Sequence, residues 1–501
     1  MSQQALLVAT LNTPSCSSGT PLATLPDAVQ WVEVRADMAG DLDPIRLRRH
    51  FCGPLLYTLR SQAEGGMGGG VADNRRARLL RAAQQYDLID LEGERDLIPE
   101  LLAAIPPHRR VISWHGPATD ANGLCDRLAR LSTVSARLYR LVPQAETPGD
   151  ALTPLAFLHR VGRADTTAYA AGPAGLWSRV VAPHLGAPVV FGSVASLPET
   201  GDMPTVTQLV EDYGFPELPA PESLYGIVGD PVLHSLSPRL HNAAYRTLGL
   251  SALYLPFQVT DFADFWHTVA EGNTLPSIGL ALRGLTVASP HKEAALEVAD
   301  MRSPIVQRAG SSNVFVRHNG AWLADTTDAE GILLALQDSG IQVDRQRVAV
   351  IGCGGSGRAA AAALDQAGAD VTLINRSRAR GELAVDLLGL PFVPLAEFTA
   401  EDFAIVVHAT PVGRDDDRLP FALDGLRADA AVVDLVYGAE PTPLMTATRR
   451  AGRIAIDGRD ILITQVRGQF RHMTGQEMPR ELAYEMLGRE AHMTAAALVE
   501  S

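Results

Sequence analysis

The chain has 501 residues, 46% hydrophobic and 20% charged, with a formal charge of −14. That length exceeds what one core fills, so two or three domains are expected, and the acidic balance excludes a phosphate-tracking nucleic-acid surface. No apolar run reaches the ~18 residues of a membrane helix, the first basic residue is Arg35, which leaves no charged leader region, and four cysteines without CxxC spacing read as buried free thiols.

These features predict a cytoplasmic chain with no membrane or nucleic-acid partner. In chain order, the short apolar runs "WVEVRAD", "PLLYTLR", "DLIDLE", "RVISWHG", "ARLYRLV" and "APVVFGS" alternate with helical stretches such as "NRRARLLRAAQQY" and "GLCDRLARL". Strand followed by helix over residues 1–217 predicts a parallel sheet with helical crossovers. The strand count favours a (β/α)8-type barrel, with an open doubly wound sheet as the alternative. A proline-rich stretch, "YGFPELPAPESLYG", reads as a semi-rigid linker. Beyond it, residues 222–330 form a second α/β region, and the chain turns helical again from about residue 457.

Between these lies "RVAVIGCGGSGRAAAAALDQAGADVTLINRS" (347–377), which reads as strand, glycine turn, helix and strand. Gly352, Gly354, Gly355 and Gly357 let backbone N–H groups and a helix N-terminus approach a pyrophosphate. Where an NAD site would carry an acidic residue, this chain has Asn375, Arg376, Ser377 and Arg378. Guanidinium groups there suit a 2′-phosphate, so the expected cofactor is NADP; an ordinary solvated basic turn is the bland alternative.

Lysine occurs once in the whole chain, as Lys292 in "LTVASPHKEAAL"; every other Lys or Arg position is arginine. Compositional drift explains the general loss, and it spares lysine best where arginine cannot substitute.

From residue 225 onward the sequence resembles shikimate dehydrogenase. The resemblance rests on "GDPVLHSLSP" with Ser235 and Ser237, "SPHKE" with Lys292, "SSNVF" with Asn313, "DTTDAEG" with Asp328, "HATPVG" with Thr410, "DLVYGAEPTPL" with Tyr437, and "DGRDILITQ" with Gly458 and Gln465. It implies hydride transfer between NADPH and the ketone of 3-dehydroshikimate. In this reading Lys292 and Asp328 are catalytic, Ser235, Ser237, Asn313, Tyr437 and Gln465 bind substrate, and Thr410 and Gly458 line the cofactor site. An ammonium is a compact donor with a tunable pKa, whereas a guanidinium near pKa ~13 does not readily release a proton. Asp328 would also suit a helix N-cap. Ala288 and Thr326 stand where the family has polar partners for the ring, which leaves quinate as an alternative substrate.

Residues 5–217 resemble type I 3-dehydroquinate dehydratase, through "EVRAD" (Glu33, Arg35), "TLRSQAEGG" (Arg60), "DLE" (Glu92), "SWHG" (His115), "GPAGLWSR" (Arg179) and "SLPET" (Ser196, with Thr200 in place of glutamine). The resemblance implies His115 as a general base oriented by Glu92, and Glu33, Arg35, Arg60, Arg179 and Ser196 as substrate contacts. The family's Schiff-base lysine aligns with Arg140, and residues 1–217 contain no lysine. A guanidinium that stays protonated cannot form an imine, so the barrel is expected to lack that mechanism.

The sequence therefore predicts an α/β protein of three parts: a dehydratase-like barrel (1–217), a shikimate-binding domain (222–330 plus 456–501) and a Rossmann NADP domain (331–455), as a monomer or homodimer. The alternatives are a fully bifunctional dehydratase/dehydrogenase, a quinate/shikimate dehydrogenase, and a ligand-sensing protein in which neither half turns over.

Overall fold

The computed structural model describes residues 3–13, 22–68, 72–194, 203–218, 220–438 and 440–488. These divide into two compact units, residues 1–282 and 283–501, with the division at the start of strand Leu282–Val287.

In the first unit, eight parallel strands run in the spatial order Thr166–Ala168, Leu138–Pro143, Arg110–Gly116, Leu88–Glu92, Leu55–Thr58, Val29–Arg35, Leu6–Leu11 and Val189–Ser193. The sheet is a nearly closed barrel, and Thr167 Oγ1 donates to the Val189 carbonyl across the two end strands at 3.0 Å. Strands Leu6–Leu11 and Thr166–Ala168 were not among the apolar runs picked out in the sequence; the second has only three residues. The register aligns Thr10 with Glu33, and Ser113 with Arg140 and Arg140 with Thr167, so a belt of buried polar groups crosses the barrel.

The proline-rich stretch is less of a spacer than its composition suggests. Glu217–Leu218 pairs antiparallel with Gln3–Gln4, and helix Val206–Tyr213, just before it, packs on helix Ser237–Leu248 of the region beyond it. Arg239 ties these helices through Asp212 at 2.7 Å and Glu211 at 3.1 Å. Trp177 stands edge-on to Phe257 with ring centroids 5.3 Å apart.

In the second unit, six parallel strands follow the order Phe392–Pro394, Asp370–Asn375, Arg347–Ile351, Ile405–His408, Ala431–Asp434 and Ile454–Ile456. The order reverses between Arg347–Ile351 and Ile405–His408, and a ligand crevice opens at such a switch point. Val348 and Val350 pack on one face of this sheet, Ala349 and Ile351 on the other, as a strand buried on both sides requires. Helices Thr327–Asp338 and Gly458–Thr474 pack side by side. Among the described residues no helix is long and apolar enough to cross a membrane. The cysteines depart from expectation: Cys353 is buried, but Cys125 is half-buried and Cys52 exposed.

Trp177 is completely buried, so Trp177→Ala should lower the stability of the first unit by about 3–5 kcal/mol. The measurement is the urea midpoint of its unfolding transition; an unchanged midpoint would contradict the packing just described.

Candidate functional site

The second unit gathers its polar side chains around the lone lysine. Lys292 Nζ donates to Asp328 Oδ2 at 2.5 Å and to Ser356 Oγ at 2.8 Å. Asp328 Oδ1 accepts from Asn313 Nδ2 at 2.7 Å and from Gln465 Nε2 at 3.0 Å. Asn313 in turn takes the Thr327 backbone N–H on its Oδ1 at 2.8 Å. Thr327 Oγ1 also accepts from Gln469 Nε2 at 3.3 Å, and Gln469 Oε1 accepts from Thr286 Oγ1 at 3.0 Å. Asp328 lies in the first turn of helix Thr327–Asp338, but its carboxylate caps nothing: the N-cap is Thr326, without a side-chain cap bond. The carboxylate faces the lysine instead. Buried ion pairs persist only when their remaining lone pairs and protons are satisfied, and here two amides satisfy Asp328 while a hydroxyl shares the ammonium.

Ser356 lies in the glycine turn, so the lysine touches the segment expected to hold a dinucleotide. Gly352 has φ +116°, and a Cβ there would lie 2.6 Å from the Ala409 carbonyl oxygen. A Cβ on Gly357 would lie 1.8 Å from the Gly352 oxygen, so only glycine lets the helix start this close to the strand. Around Gly354 there is open space, and helix Gly355–Gln366, which follows it, has no side-chain cap. Its free N–H groups fit a pyrophosphate. Arg376, Ser377 and Arg378 are exposed at the end of strand Asp370–Asn375, where a 2′-phosphate would be met. Asn375 has a different place: its Oδ1 accepts from Cys353 N at 3.3 Å and its Nδ2 donates to the Ser377 carbonyl, joining the two turns. Gly458 opens helix Gly458–Thr474 where a Cβ would lie 2.3 Å from the Val436 oxygen, and Tyr437 is half-buried just beyond that oxygen.

Ser235 and Ser237 belong to the first unit. Ser237 begins helix Ser237–Leu248 and donates its backbone N–H to Ser235 Oγ at 3.2 Å.

The barrel interior is built around cations. Arg140, fully buried, bonds Glu33 Oε1 through Nη1 at 2.9 Å and the Tyr169 hydroxyl through Nε at 3.0 Å and Nη2 at 2.7 Å, with its guanidinium 3.7 Å from the Phe191 ring centroid. Glu33 also accepts from Thr10 and Thr58. Burial pushes its pKa up, but Arg140, Arg35 and Arg60 outweigh burial and hold it at about 2. Burial likewise pulls the Arg140 pKa down, while Tyr169, Glu33 and Asp90 raise it above the ordinary arginine value.

Arg35 bonds both oxygens of Asp37 through Nε and Nη2, at 2.9 and 2.7 Å. One expectation needs correction: Glu92 is not the partner of His115. Glu92 accepts from Ser61 N at 2.6 Å and lies 3.3 Å from Arg75 and 3.2 Å from Arg95. Glu64 stands beside His115 instead, with Oε2 2.9 Å from its backbone nitrogen and 3.2 Å from Nδ1. The "AEGG" that follows Arg60 in sequence was the available signal, because Gly66 and Gly68 fold this loop against the Arg60 carbonyl.

Burial, with Arg60, Arg140, Arg35 and Arg179, keeps the His115 pKa well below its ordinary value, so the ring is neutral. Burial and then the charge of Glu92 raise Glu64 to about 8. Among the described residues, His115 Nε2, Arg60 Nε and Nη2, and Arg179 Nε are enclosed without a hydrogen-bond partner. A neutral base thus lies among guanidinium groups with donors to spare, and such donors suit the oxygens of a carboxylate. Ser196, with Thr200, lies outside the described residues.

Comparison with known proteins agrees with both halves. A sequence model of type I 3-dehydroquinase matches residues 21–216, and one of the shikimate dehydrogenase substrate binding domain matches residues 227–315. The bifunctional 3-dehydroquinate dehydratase/shikimate dehydrogenase of Arabidopsis thaliana, a chloroplastic protein, is 27% identical over 91% of this chain and 80% of its own length. A shikimate dehydrogenase (NADP(+)) of Halobacterium salinarum is 37% identical over 51% of this chain and 95% of its own length. The crystal structure of shikimate dehydrogenase from Aquifex aeolicus matches 54% of this chain and 98% of its own, at 30% identity and a TM-score of 0.49.

Because the folded pKa of Glu64 lies above its ordinary 4.5, its contribution to stability is full below that value and is lost as pH rises through about 8. Wild type should therefore lose stability relative to Glu64→Gln between these two pH values and run parallel to it above them. Denaturant titrations across pH check this, and identical pH profiles would refute it.

Proposed function

The chain belongs to the shikimate dehydrogenase family, and on that premise we propose that its C-terminal half reduces 3-dehydroshikimate to shikimate with NADPH. The observation that carries the reading is the 2.5 Å contact of Lys292 Nζ with Asp328 Oδ2, beside a glycine turn shaped for a dinucleotide. NADPH, when bound, supplies the hydride to the substrate ketone. Lys292 delivers a proton to the developing alkoxide, and Asp328 holds the ammonium in place and balances its charge. Asn313 and Gln465 fix the carboxylate of Asp328 and are proposed as substrate contacts as well. Gly352, Gly354, Gly355 and Gly357 receive the pyrophosphate, Arg376, Ser377 and Arg378 the 2′-phosphate, and Thr410 and Gly458 the nicotinamide end.

Ser235, Ser237 and Tyr437 are proposed as substrate contacts on the family resemblance. Domain limits of 1–217, 222–330 plus 456–501, and 331–455 belong to the same proposal, as does a cytoplasmic chain acting as monomer or homodimer. Ala288 and Thr326 remove polar partners for the ring, so assays should include quinate and shikimate side by side.

A second proposal concerns the barrel: it binds a carboxylate-bearing ring without imine chemistry. The lysine position is Arg140, whose guanidinium is occupied by Glu33 and Tyr169 and held charged. A slow lyase in which the cationic interior stabilises an enolate would use the same groups.

Lys292→Met and Lys292→Arg should lower kcat for dehydroshikimate reduction by roughly 10²–10⁴; wild-type turnover by either would overturn the assignment. For the barrel, borohydride with 3-dehydroquinate should leave its mass unchanged, and a covalent adduct on residues 1–217 would refute the proposal.

A further inference from the structure

Three consecutive residues in the loop before strand Val314–His318 grip the three parts that meet at the lysine. Ser311 Oγ donates to the Gly355 carbonyl of the glycine turn at 3.0 Å. Ser312 donates its backbone N–H to the Lys292 carbonyl at 2.9 Å, and its hydroxyl is committed to the carbonyls of Asp325 at 2.7 Å and Val314 at 3.0 Å. Asn313 Nδ2 donates to Asp328 Oδ1 at 2.7 Å. The backbone of the turn, the backbone of the lysine and the carboxylate are therefore held in one frame. Inside it meet the side chains of Lys292, Asp328 and Ser356.

An ammonium has three N–H donors and no acceptor. On Lys292 one goes to Asp328 Oδ2 at 2.5 Å and one to Ser356 Oγ at 2.8 Å; among the described residues the third meets no protein acceptor. With Asp328 alone the head group would keep its counter-charge but could turn about that contact. A second fixed direction, from a hydroxyl on a different helix, stops rotation about the Cε–Nζ bond and so sets where the third N–H points. Ser356 lies in the first turn of helix Gly355–Gln366, and Arg358 in the same turn bonds Glu293 Oε1, next to the lysine, at 2.8 Å. The hydroxyl is thus presented by backbone that is itself tied to the lysine segment.

We propose that Ser356 is a positioning residue for the proton transfer: its hydroxyl fixes the rotation of the Lys292 ammonium, so that the remaining N–H is the one offered to the substrate oxygen. The inference rests on the reading of Lys292 as proton donor, and adds to it a residue of the dinucleotide turn that acts on the proton. Its contribution is orientation, with no bond made or broken at the serine.

The test is a double-mutant cycle on the full chain, with kcat for 3-dehydroshikimate reduction measured at saturating NADPH. Ser356→Ala should lower kcat about tenfold when Lys292 is present, the magnitude of one hydrogen bond to a charged group, and should cause no further loss in the Lys292→Met background. Unchanged kcat, or the same loss in both backgrounds, would overturn the proposal; equal losses would mean that Ser356 acts on the dinucleotide turn alone. A second readout does not depend on turnover. Because Lys292 is the chain's sole lysine, labelling with 13Cε-lysine gives a single resonance, which Ser356→Ala should shift and narrow as the head group is freed. An unaltered resonance would also overturn the proposal. Failure of wild type to reduce 3-dehydroshikimate would instead defeat the dehydrogenase reading, and the labelled resonance would still decide whether Ser356 orients the ammonium.

Discussion

The second unit is organised by the requirement that one ammonium and one carboxylate share a largely enclosed space. Lys292 Nζ and Asp328 Oδ2 are 2.5 Å apart, with side-chain exposures of 17% and 4%. Removing such a pair from water costs several kcal/mol per ion unless the surrounding groups complete their hydrogen bonds. The neighbouring elements meet that requirement: strand Val314–His318 is preceded by Asn313, helix Gly458–Thr474 brings Gln465, and the glycine turn brings Ser356. The position of the lysine thus depends on three separate elements converging on one carboxylate and one ammonium. The remaining exposure is on the lysine, the group that has to meet a substrate.

The same segment is braced against the nucleotide turn by a second cation. Arg358 Nη2 bonds Glu293 Oε1 at 2.8 Å, next in sequence to Lys292, and its other donors reach the carbonyls of Cys353, Ala309 and Gly310. A Cβ on Gly355 would lie 3.2 Å from Lys292 Cβ. Binding at the glycine turn and orientation of the proton donor are therefore mechanically linked through contacts of a few ångströms. Such positioning is how proximity contributes to catalysis without further chemistry.

What the sequence makes legible follows from how local each feature is. The glycine turn, the strands on either side and the basic turn at Arg376 lie within some thirty consecutive residues, and their spacing carries its own geometry. Lys292 was conspicuous because nothing else in the chain shares its type. Glu64 and Glu92 look alike in the sequence, one at the end of a barrel strand and the other in the loop after one, and only the folding of the loop after Arg60 decides which one meets His115. Ser356, Gln469 and Thr286 gave no signal, since their partners are 64, 142 and 183 residues away. His408 and Asp434, 2.9 Å apart at the ends of neighbouring strands, belong to the same class, because their relation exists only through the parallel register.

Arginine at position 140 and lysine at position 292 show one physical distinction from both sides. In the barrel a permanent, planar, multi-donor cation is compatible with the interior: it satisfies Glu33 and Tyr169 at once and stacks on Phe191, contacts that suit a delocalised fork better than a point charge. What arginine cannot do there is lose its proton and become a nucleophile. At Lys292 the geometry fits a compact, single-headed donor between Asp328 and Ser356, and the proposed role needs one whose proton can leave. A guanidinium would keep the charge but would hold its protons and occupy a wider, flat volume against Gly355. A compositional pressure that replaces lysine with arginine would therefore leave the barrel folded and cationic, without the means for imine chemistry, whereas in the second unit it would remove the proton transfer proposed for Lys292. The single surviving lysine sits where that difference matters.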